Sequence, residues 1–299
     1  MREHFGLKFR SILIKFAVVS ACVVASYAQS SAAPPPILDT INVSSPRPVA
    51  DAVHTLQTRY GLLISYEEPA SEYLGDLEDI SSKVSKAHDK TRSDRDKQLL
   101  VPRSRSLQAT FPINLGGNRE GQRRIVQQIL DQDSKNAGSE FYLGDSGKML
   151  HIIPARSKNA SGEIRPTKPL LDAYISLPAT AVKAGEFLQQ FCAALRIATG
   201  SQVYPGTTPH NMFADSRSFE ASSGAPARET LETFLESLSK PGYRYAWSLY
   251  YQYGLGYVLN IDVVRTPGSV SPLGPARPKG LPLKKQPGKI IAIRPTNND

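Results

Sequence analysis

The stretch RPVADAVHTLQTRYGLLISYEEP, residues 47–69, decides how the chain folds. Its apolar side chains recur at helical spacing from Pro48, and Gly61 fits the stop that ends such a helix. The β-prone run LLISY that follows predicts a strand, which two glutamates and Pro69 close. The side chains that we expect to be buried in this helix and strand are Val49, Val53, Leu56 and Ile64.

The elements around this unit extend the same pattern through the first half of the chain. A short strand is predicted at 38–43, and a polar segment at 71–106 separates the opening unit from a strand at 107–113. Helical spacing then predicts a helix over 119–131, and two β-prone runs around the turn DSG at 145–147 predict a hairpin.

The second half of the chain repeats this order. The runs AYISLP and SQVYP predict strands on either side of a helix that begins at Thr180 and ends at Ala198, before the stop Gly200. A second helix is predicted over 226–239, and the runs YRYAWSLYY and YVLNIDVV predict a hairpin around the turn at 254–256. Both halves therefore read strand, helix, strand, linker, strand, helix, hairpin, and the polar segment accounts for the greater length of the first half.

We therefore predict an α+β protein of two tandem small mixed modules, each with two helices packed on a short sheet. The boundary between them is a stretch of low hydrophobicity, SKNASGEIRPTKPL at 157–170. The predicted order is a signal peptide at 1–28, a linker at 29–36, a first module at 37–155 with a polar insertion at 71–106, a linker at 156–170, a second module at 171–265, and a disordered, basic, proline-rich tail at 266–299.

The beginning of the chain predicts export. Basic residues precede an apolar run at 16–25, and the small-x-small pattern SYA at 26–28 fits a cleavage site. The run is shorter than the ~20 residues of a membrane-spanning helix, so we expect a soluble mature chain, periplasmic or extracellular, with no transmembrane segment. VSAC at 19–22 also has the form of a lipobox, and the alternative is a lipid anchor on Cys22.

Cleavage leaves one cysteine, Cys192, which excludes an intramolecular disulfide. Its apolar neighbours Leu188, Phe191 and Leu195 predict that the thiol lies on the buried side of a helix, where cysteine behaves as a small hydrophobic residue. A reactive thiol is the alternative.

The distribution of charge argues against one class of partner. The full chain carries +9, of which residues 1–28 contribute +3 and residues 265–299 contribute +6. The body between them is neutral, whereas a nucleic-acid-binding fold presents a basic surface. We therefore expect no nucleic-acid partner, and the basic tail leaves open binding to an anionic cell-wall polymer or a membrane surface.

The opening unit resembles the first helix and strand of the short N-terminal domain of secretins and TonB-dependent outer-membrane receptors, which has a pattern of the type AL..LA..TGL.I.Y. The resemblance covers about residues 48–69, and EFLQQFCAALRIATGSQVYP at 186–205 echoes it more faintly. It implies a small α+β envelope module that docks proteins or peptides, here expected to act without a secretin ring or receptor barrel. The matching positions are Ala52, Val53, Leu56, Gly61, Leu62, Ile64 and Tyr66.

The sequence predicts no catalytic, cofactor or metal site. The histidines of the mature chain lie outside any HExxH motif and outside any cluster with metal-ligand spacing, and neither a nucleophile elbow nor a phosphate-binding glycine loop occurs. An enzyme without a recognisable motif is the alternative. The four histidines are His54, His88, His151 and His210.

An acidic cluster around Gly75 is a candidate calcium site, because carboxylate oxygens are the ligands that calcium prefers. Its spacing differs from that of an EF-hand loop, so a solvated surface is the favoured interpretation. The cluster consists of Glu67, Glu68, Glu72, Asp76, Glu78 and Asp79.

The aromatic run YRYAWSLYY is the predicted partner-binding feature. Alternate residues of a strand point to one face, so the residues placed together are Tyr243, Tyr245, Trp247, Leu249 and Tyr251. If exposed, such a strand can pair with a partner's strand or stack on a glycan ring. The alternative is that this face covers the helices as core.

These patterns favour an exported, non-catalytic envelope protein that docks a protein or peptide through its modules, without a cofactor. Binding to the cell wall or a membrane surface through the tail is one alternative. An unrecognised secreted enzyme is the other.

Overall fold

The computed structural model describes residues 37–81, 99–112, 117–135, 140–178, 180–213, 218–219 and 224–266. The predicted signal peptide, the linker at 29–36 and the tail beyond residue 266 lie outside these ranges. The described chain is a mixed α+β protein, as predicted. None of its helices combines the length and the apolar character needed to cross a bilayer.

Helices and short strands alternate along the described chain. The helices are α1 (Pro48–Tyr60), α2 (Arg119–Ser134), α3 (Ala184–Thr199), the single-turn α4 (His210–Phe213) and α5 (Ala227–Leu238). The strands are β1 (Leu38–Ser45), β2 (Ile64–Glu67), β3 (Leu77–Asp79), β4 (Leu100–Pro102), β5 (Arg105–Pro112), β6 (Glu140–Asp145), β7 (Leu150–Lys158), β8 (Ile164–Pro166), β9 (Tyr174–Ile175), β10 (Val182–Lys183), β11 (Val203–Pro205), β12 (Ser218–Phe219), β13 (Ala225–Pro226), β14 (Tyr243–Gln252) and β15 (Gly256–Arg265).

A seven-stranded sheet runs through the centre of the molecule, in the order β11-β15-β14-β2-β7-β6, with β8 attached to β7. In the first half β2 pairs in parallel with the second strand of the β6–β7 hairpin. In the second half β11 pairs in parallel with the second strand of the β14–β15 hairpin. The two sets of strands meet where β2 pairs in parallel with β14.

Two smaller sheets have corresponding places in the two halves. β1, which precedes α1, pairs antiparallel with β5, which precedes α2. β10, which precedes α3, pairs antiparallel with β12, which lies before α5. The same pairings therefore occur once in each half of the chain.

The two hydrophobic cores lie on opposite faces of the central sheet. One core joins α1 and α2 to the face that carries Ile64 and Leu150. The other joins α3 and α5 to the face that carries Leu63 and Trp247. Because neighbouring residues on a strand point to opposite faces, each pair of helices covers one side of a shared sheet.

The opening stretch folds as its pattern predicts. Val49, Val53, Leu56 and Ile64 are each at most 4% exposed, which confirms their expected burial. Gly61 ends α1 with a φ of 64°, in the left-handed region that glycine adopts without steric cost.

The predicted start of the third helix is wrong by four residues. α3 begins at Ala184 and not at Thr180, because Val182 pairs with Phe219 in the small β10–β12 sheet. The β-branched side chain of Val182 suits a strand better than a helix.

Two segments expected to be irregular contain strands. The predicted linker at 156–170 includes the end of β7 and the whole of β8, which pair as an antiparallel hairpin. β8 has only three residues, and all of them are exposed, so no pattern of buried apolar residues marks this strand in the sequence. The polar insertion at 71–106 likewise includes β3 and β4, which pair with each other, and the first residues of β5.

Candidate functional site

The aromatic strand β14 lies inside the sheet, which corrects the predicted partner-binding surface. Tyr245 is 3% exposed and Trp247 is 0% exposed, because α3 and α5 pack over this face. Tyr243 and Tyr251 are half-buried and pack against the same core. β14 pairs with β15 along its whole length on one side and with β2 at Ser248 and Leu249 on the other, so it is an inner strand of the sheet.

A buried ion pair at the end of β2 joins the two halves on the α5 side of the sheet. Glu67 is 1% exposed and accepts a hydrogen bond of 2.7 Å from Arg228 Nη2, on α5. Arg228 also donates to Asp172 at 2.9 Å, and its guanidinium lies 5.6 Å from the centroid of the Trp247 ring. Burial raises the pKa of Glu67 above its ordinary value, and the charge of Arg228 opposes that rise.

Glu68 makes a corresponding contact on the opposite face. Arg47, just before α1, donates from Nε to Glu68 Oε2 at 2.8 Å and from Nη2 to the Tyr251 carbonyl at 2.7 Å. The backbone N–H of Tyr251 donates to the same carboxylate at 2.8 Å. Burial raises the pKa of Glu68, and Arg47 opposes that rise. Two neighbouring carboxylates thus hold β2 to the second half of the chain from both faces.

The acidic cluster considered as a calcium site is therefore dispersed. Glu67 and Glu68 point to opposite faces of the sheet, and Asp76 forms an ion pair of 2.8 Å with Lys158. Among the residues that the structure describes, no three His, Cys, Asp or Glu side chains are grouped so as to hold a metal ion.

A buried chain of three side chains has the residue types of a hydrolytic triad. Ser65 Oγ lies 2.6 Å from His151 Nδ1, and Nε2 of the same ring contacts Glu232 on α5. In a triad the nucleophile bonds Nε2 and the carboxylate bonds Nδ1, so the ring is reversed here. The sequence did not reveal this contact between Ser65 and His151, because the two residues are 86 positions apart.

Ser65, His151 and Glu232 lie in surroundings that indicate a structural role, because Ser65 and His151 are buried away from the clefts. Ser65 is 0% exposed and His151 is 2% exposed, and neither residue lines either of the clefts described next. The contacts join β2 and β7 of the first half to α5 of the second half.

Two clefts open on the α1 side of the sheet. The larger, of about 340 Å³, lies between the start of α1, the end of β2 and the connection from β4 to β5. The smaller, of about 240 Å³, lies between α1 and β15 and is lined by His54, Ser248 and Asp262. Burial raises the pKa of Asp262, and His54 opposes that rise. Each cleft is formed by segments that are far apart in the chain. The periodicity of apolar residues in the sequence therefore did not predict either cleft.

The central sheet has a free edge at β6. Within the described ranges this six-residue strand pairs only with β7, and its Tyr142 is 44% exposed. At the opposite edge, β11 has three residues and ends with Pro205. Shortness and proline both protect a sheet edge from pairing with other chains, so β6 is the more accessible edge.

Cys192 is expected to be unreactive in the folded protein. Its thiol is 1% exposed, and burial raises its pKa to about 12, so very little thiolate exists at neutral pH. In a Cys22→Ser variant, which leaves one thiol, DTNB should label the native protein far more slowly than the urea-unfolded chain. Equal labelling rates in the two states would contradict the burial of this side chain.

Comparison of the chain with protein-family models, with curated proteins and with solved structures found no match.

Proposed function

We propose that the chain is an exported, non-catalytic docking protein of a bacterial envelope. It consists of two tandem modules, at 37–155 and 171–265, that are similar to the short N-terminal domain of secretins and TonB-dependent receptors. Two observations support the tandem arrangement: the strand pairings recur in each half, and each helix pair belongs to a separate core. The modules share one sheet through the pairing of β2 with β14.

The open edge of β6 is the observation that carries the docking function. An edge strand presents unpaired N–H and C=O groups, which can pair with an extended segment of another chain. Tyr142 is 44% exposed on this strand, and Phe141 and Leu143 beside it are half-buried. The partner therefore contributes an extended peptide segment, held by backbone hydrogen bonds and by contact with an aromatic side chain.

The burial of Ser65 and His151 supports the non-catalytic part of the proposal. A catalytic nucleophile must reach its substrate, and these two side chains are at most 2% exposed. Their contacts hold β2, β7 and α5 together, which gives them a structural role.

Tyr142→Lys is expected to weaken capture of the partner about tenfold, because a charge on an edge strand disfavours strand pairing and an aromatic contact is lost. The measurement is affinity capture by the full-length tagged chain from solubilised envelope of its host. Tyr174→Lys is the matched control, since Tyr174 is 70% exposed and lies on β9 in the second half.

Equal capture by the two variants would contradict docking at β6. Capture is also repeated with a chain that ends at residue 265. A partner that is lost with the tail, or washed away by modest salt, while Tyr142→Lys has no effect, would favour the cell-wall or membrane alternative.

A further inference from the structure

The larger cleft contains more positive than negative charge. Four cationic side chains line it, and three of them are neutralised by carboxylates in or beside the cleft. The three pairs are Arg47 with Glu68, Arg105 with Asp133, and Lys158 with Asp76. Arg103 is the fourth cation.

Arg103 lacks a carboxylate partner within the described residues. Its Nε donates to the carbonyl of Leu77 at 3.1 Å, and its backbone N–H donates to the carbonyl of Asp76 at 2.8 Å. These bonds hold the arginine against β3 and leave the two terminal amino groups of the guanidinium for a ligand. A guanidinium forms two parallel hydrogen bonds with a carboxylate.

Neutral groups that bind oxyanions line the same cleft. The side chains of Ser71, Ser104 and Ser157 form no hydrogen bond with any other described residue. α1 begins in the cleft, at Pro48, without a side-chain cap, and the first turn of a helix carries a partial positive charge. The hydroxyls and the helix end favour an anion in the cleft that Arg103 lines.

The charge and the walls of the cleft select the kind of anion. A monoanion balances the single unpaired cation, whereas a dianionic phosphate would leave a surplus of negative charge close to Glu68 and Asp76. The remaining wall is apolar, and it contains four prolines and the ring of Phe141. The volume of about 340 Å³ is near the lower end of the ~300–1,000 Å³ of small-ligand sites.

We propose that this cleft binds the carboxylate of a peptide, with Arg103 as its main charge partner. The apolar wall contacts the peptide residues next to the carboxylate. The cleft shares Phe141 with β6, but binding of a carboxylate at Arg103 does not depend on strand pairing at the β6 edge.

The test is a titration of the full-length chain with N-acetyl-trialanine at low ionic strength, in which calorimetry measures the binding. Arg103→Gln is expected to weaken binding about tenfold or more, since it removes hydrogen bonds to a charged group. Arg244→Gln makes the same change of charge at an exposed position outside the cleft and should bind like the unchanged protein. Arg103→Lys, which keeps the charge but not the paired donors, should be intermediate.

Further probes distinguish the sources of the carboxylate. The C-terminal amide of the same peptide should bind weakly, because it has no carboxylate. An amidated peptide with a central glutamate that binds as well as the free acid supports the site with a side-chain carboxylate as its ligand. Three results would overturn the proposal: no binding of the free acid to the unchanged protein, equal loss in Arg103→Gln and Arg244→Gln, or tighter binding of inorganic phosphate than of the free acid.

Discussion

Trp247→Ala is expected to lower the free energy of unfolding by about 3–5 kcal/mol, the range for truncation of a large buried aromatic side chain. Trp247 is 0% exposed, in the core that α3 and α5 form with the central sheet. Its ring stacks on that of His151, with centroids 6.1 Å apart, and the Arg228 guanidinium lies over it. Folded domains are stable by only about 5–15 kcal/mol, so this loss is a large share of the total.

Trp247→Phe is the matched control for this truncation. It keeps an aromatic ring in the core and removes an indole N–H that has no hydrogen-bond partner within the described residues, so its effect should be clearly smaller. Urea unfolding must be followed by circular dichroism, because Trp247 is the only tryptophan in the chain. A Trp247→Ala variant as stable as the unchanged protein would contradict the burial and restore this side chain as a candidate contact for a partner.

Arg228→Ala is expected to lower the free energy of unfolding by about 3–5 kcal/mol, because it leaves the Glu67 carboxylate buried without its ion-pair partner. The matched control is Arg124→Ala, which breaks an arginine–glutamate pair on the surface of α2. Both side chains of that pair, Arg124 and Glu120, are at least 65% exposed, and such pairs contribute about 0.3–0.5 kcal/mol. Urea unfolding of the two variants at neutral pH compares a buried pair with an exposed one.

The effect of Arg228→Ala should depend on pH. Burial raises the pKa of Glu67 in the folded protein, so the folded state binds a proton more readily than the unfolded state. Removal of Arg228 takes away an opposing charge and raises this pKa further. The stability deficit of the variant should therefore be largest above the raised pKa and shrink as the pH falls below it. A deficit that does not change with pH, or that equals that of Arg124→Ala, would contradict the pairing.

The parts of the fold that depend on neighbouring residues could be predicted from the sequence. Pro48, the helical spacing and Gly61 lie within one short stretch, and they define α1 in the structure as they did in the pattern. Burial of its apolar face follows from the same spacing. Such signals depend only on residues that are close in sequence, so they can be recognised in a single sequence without knowledge of the tertiary structure.

The environment of β14 could not be predicted in this way. Alternation placed Trp247 and Ser248 on opposite faces, but both are buried, at 0% and 6% exposure. Helices of the second half cover one face, and α1 of the first half lies over the other, beside Ser248. Which strand is central depends on pairings between the halves, and no local pattern records these.

Polar composition was misleading for a related reason. The strand β8 is only three residues long, is exposed throughout and is flanked by polar residues, so the segment resembles a linker in sequence. The larger cleft also escaped prediction, because Arg103 and Val49 come together only when the connection from β4 to β5 packs near the start of α1. The smaller cleft lies between α1 and β15, which belong to different halves of the chain.

The first half of the chain does not complete the sheet by itself. β2 has β7 on one side, and its other neighbour is β14, where Tyr66 pairs with Ser248, 182 positions later (248 minus 66). We expect contacts between such distant residues to form slowly, because closing a long loop costs conformational entropy. Until they form, one edge of β2 is open, and open strand edges of incomplete chains pair readily with one another. Glu68 already has Arg47 of the first half as its partner. The charge of Glu67 at the end of this edge, in contrast, is unpaired until Arg228 of the second half is in place, and it disfavours pairing between copies until then.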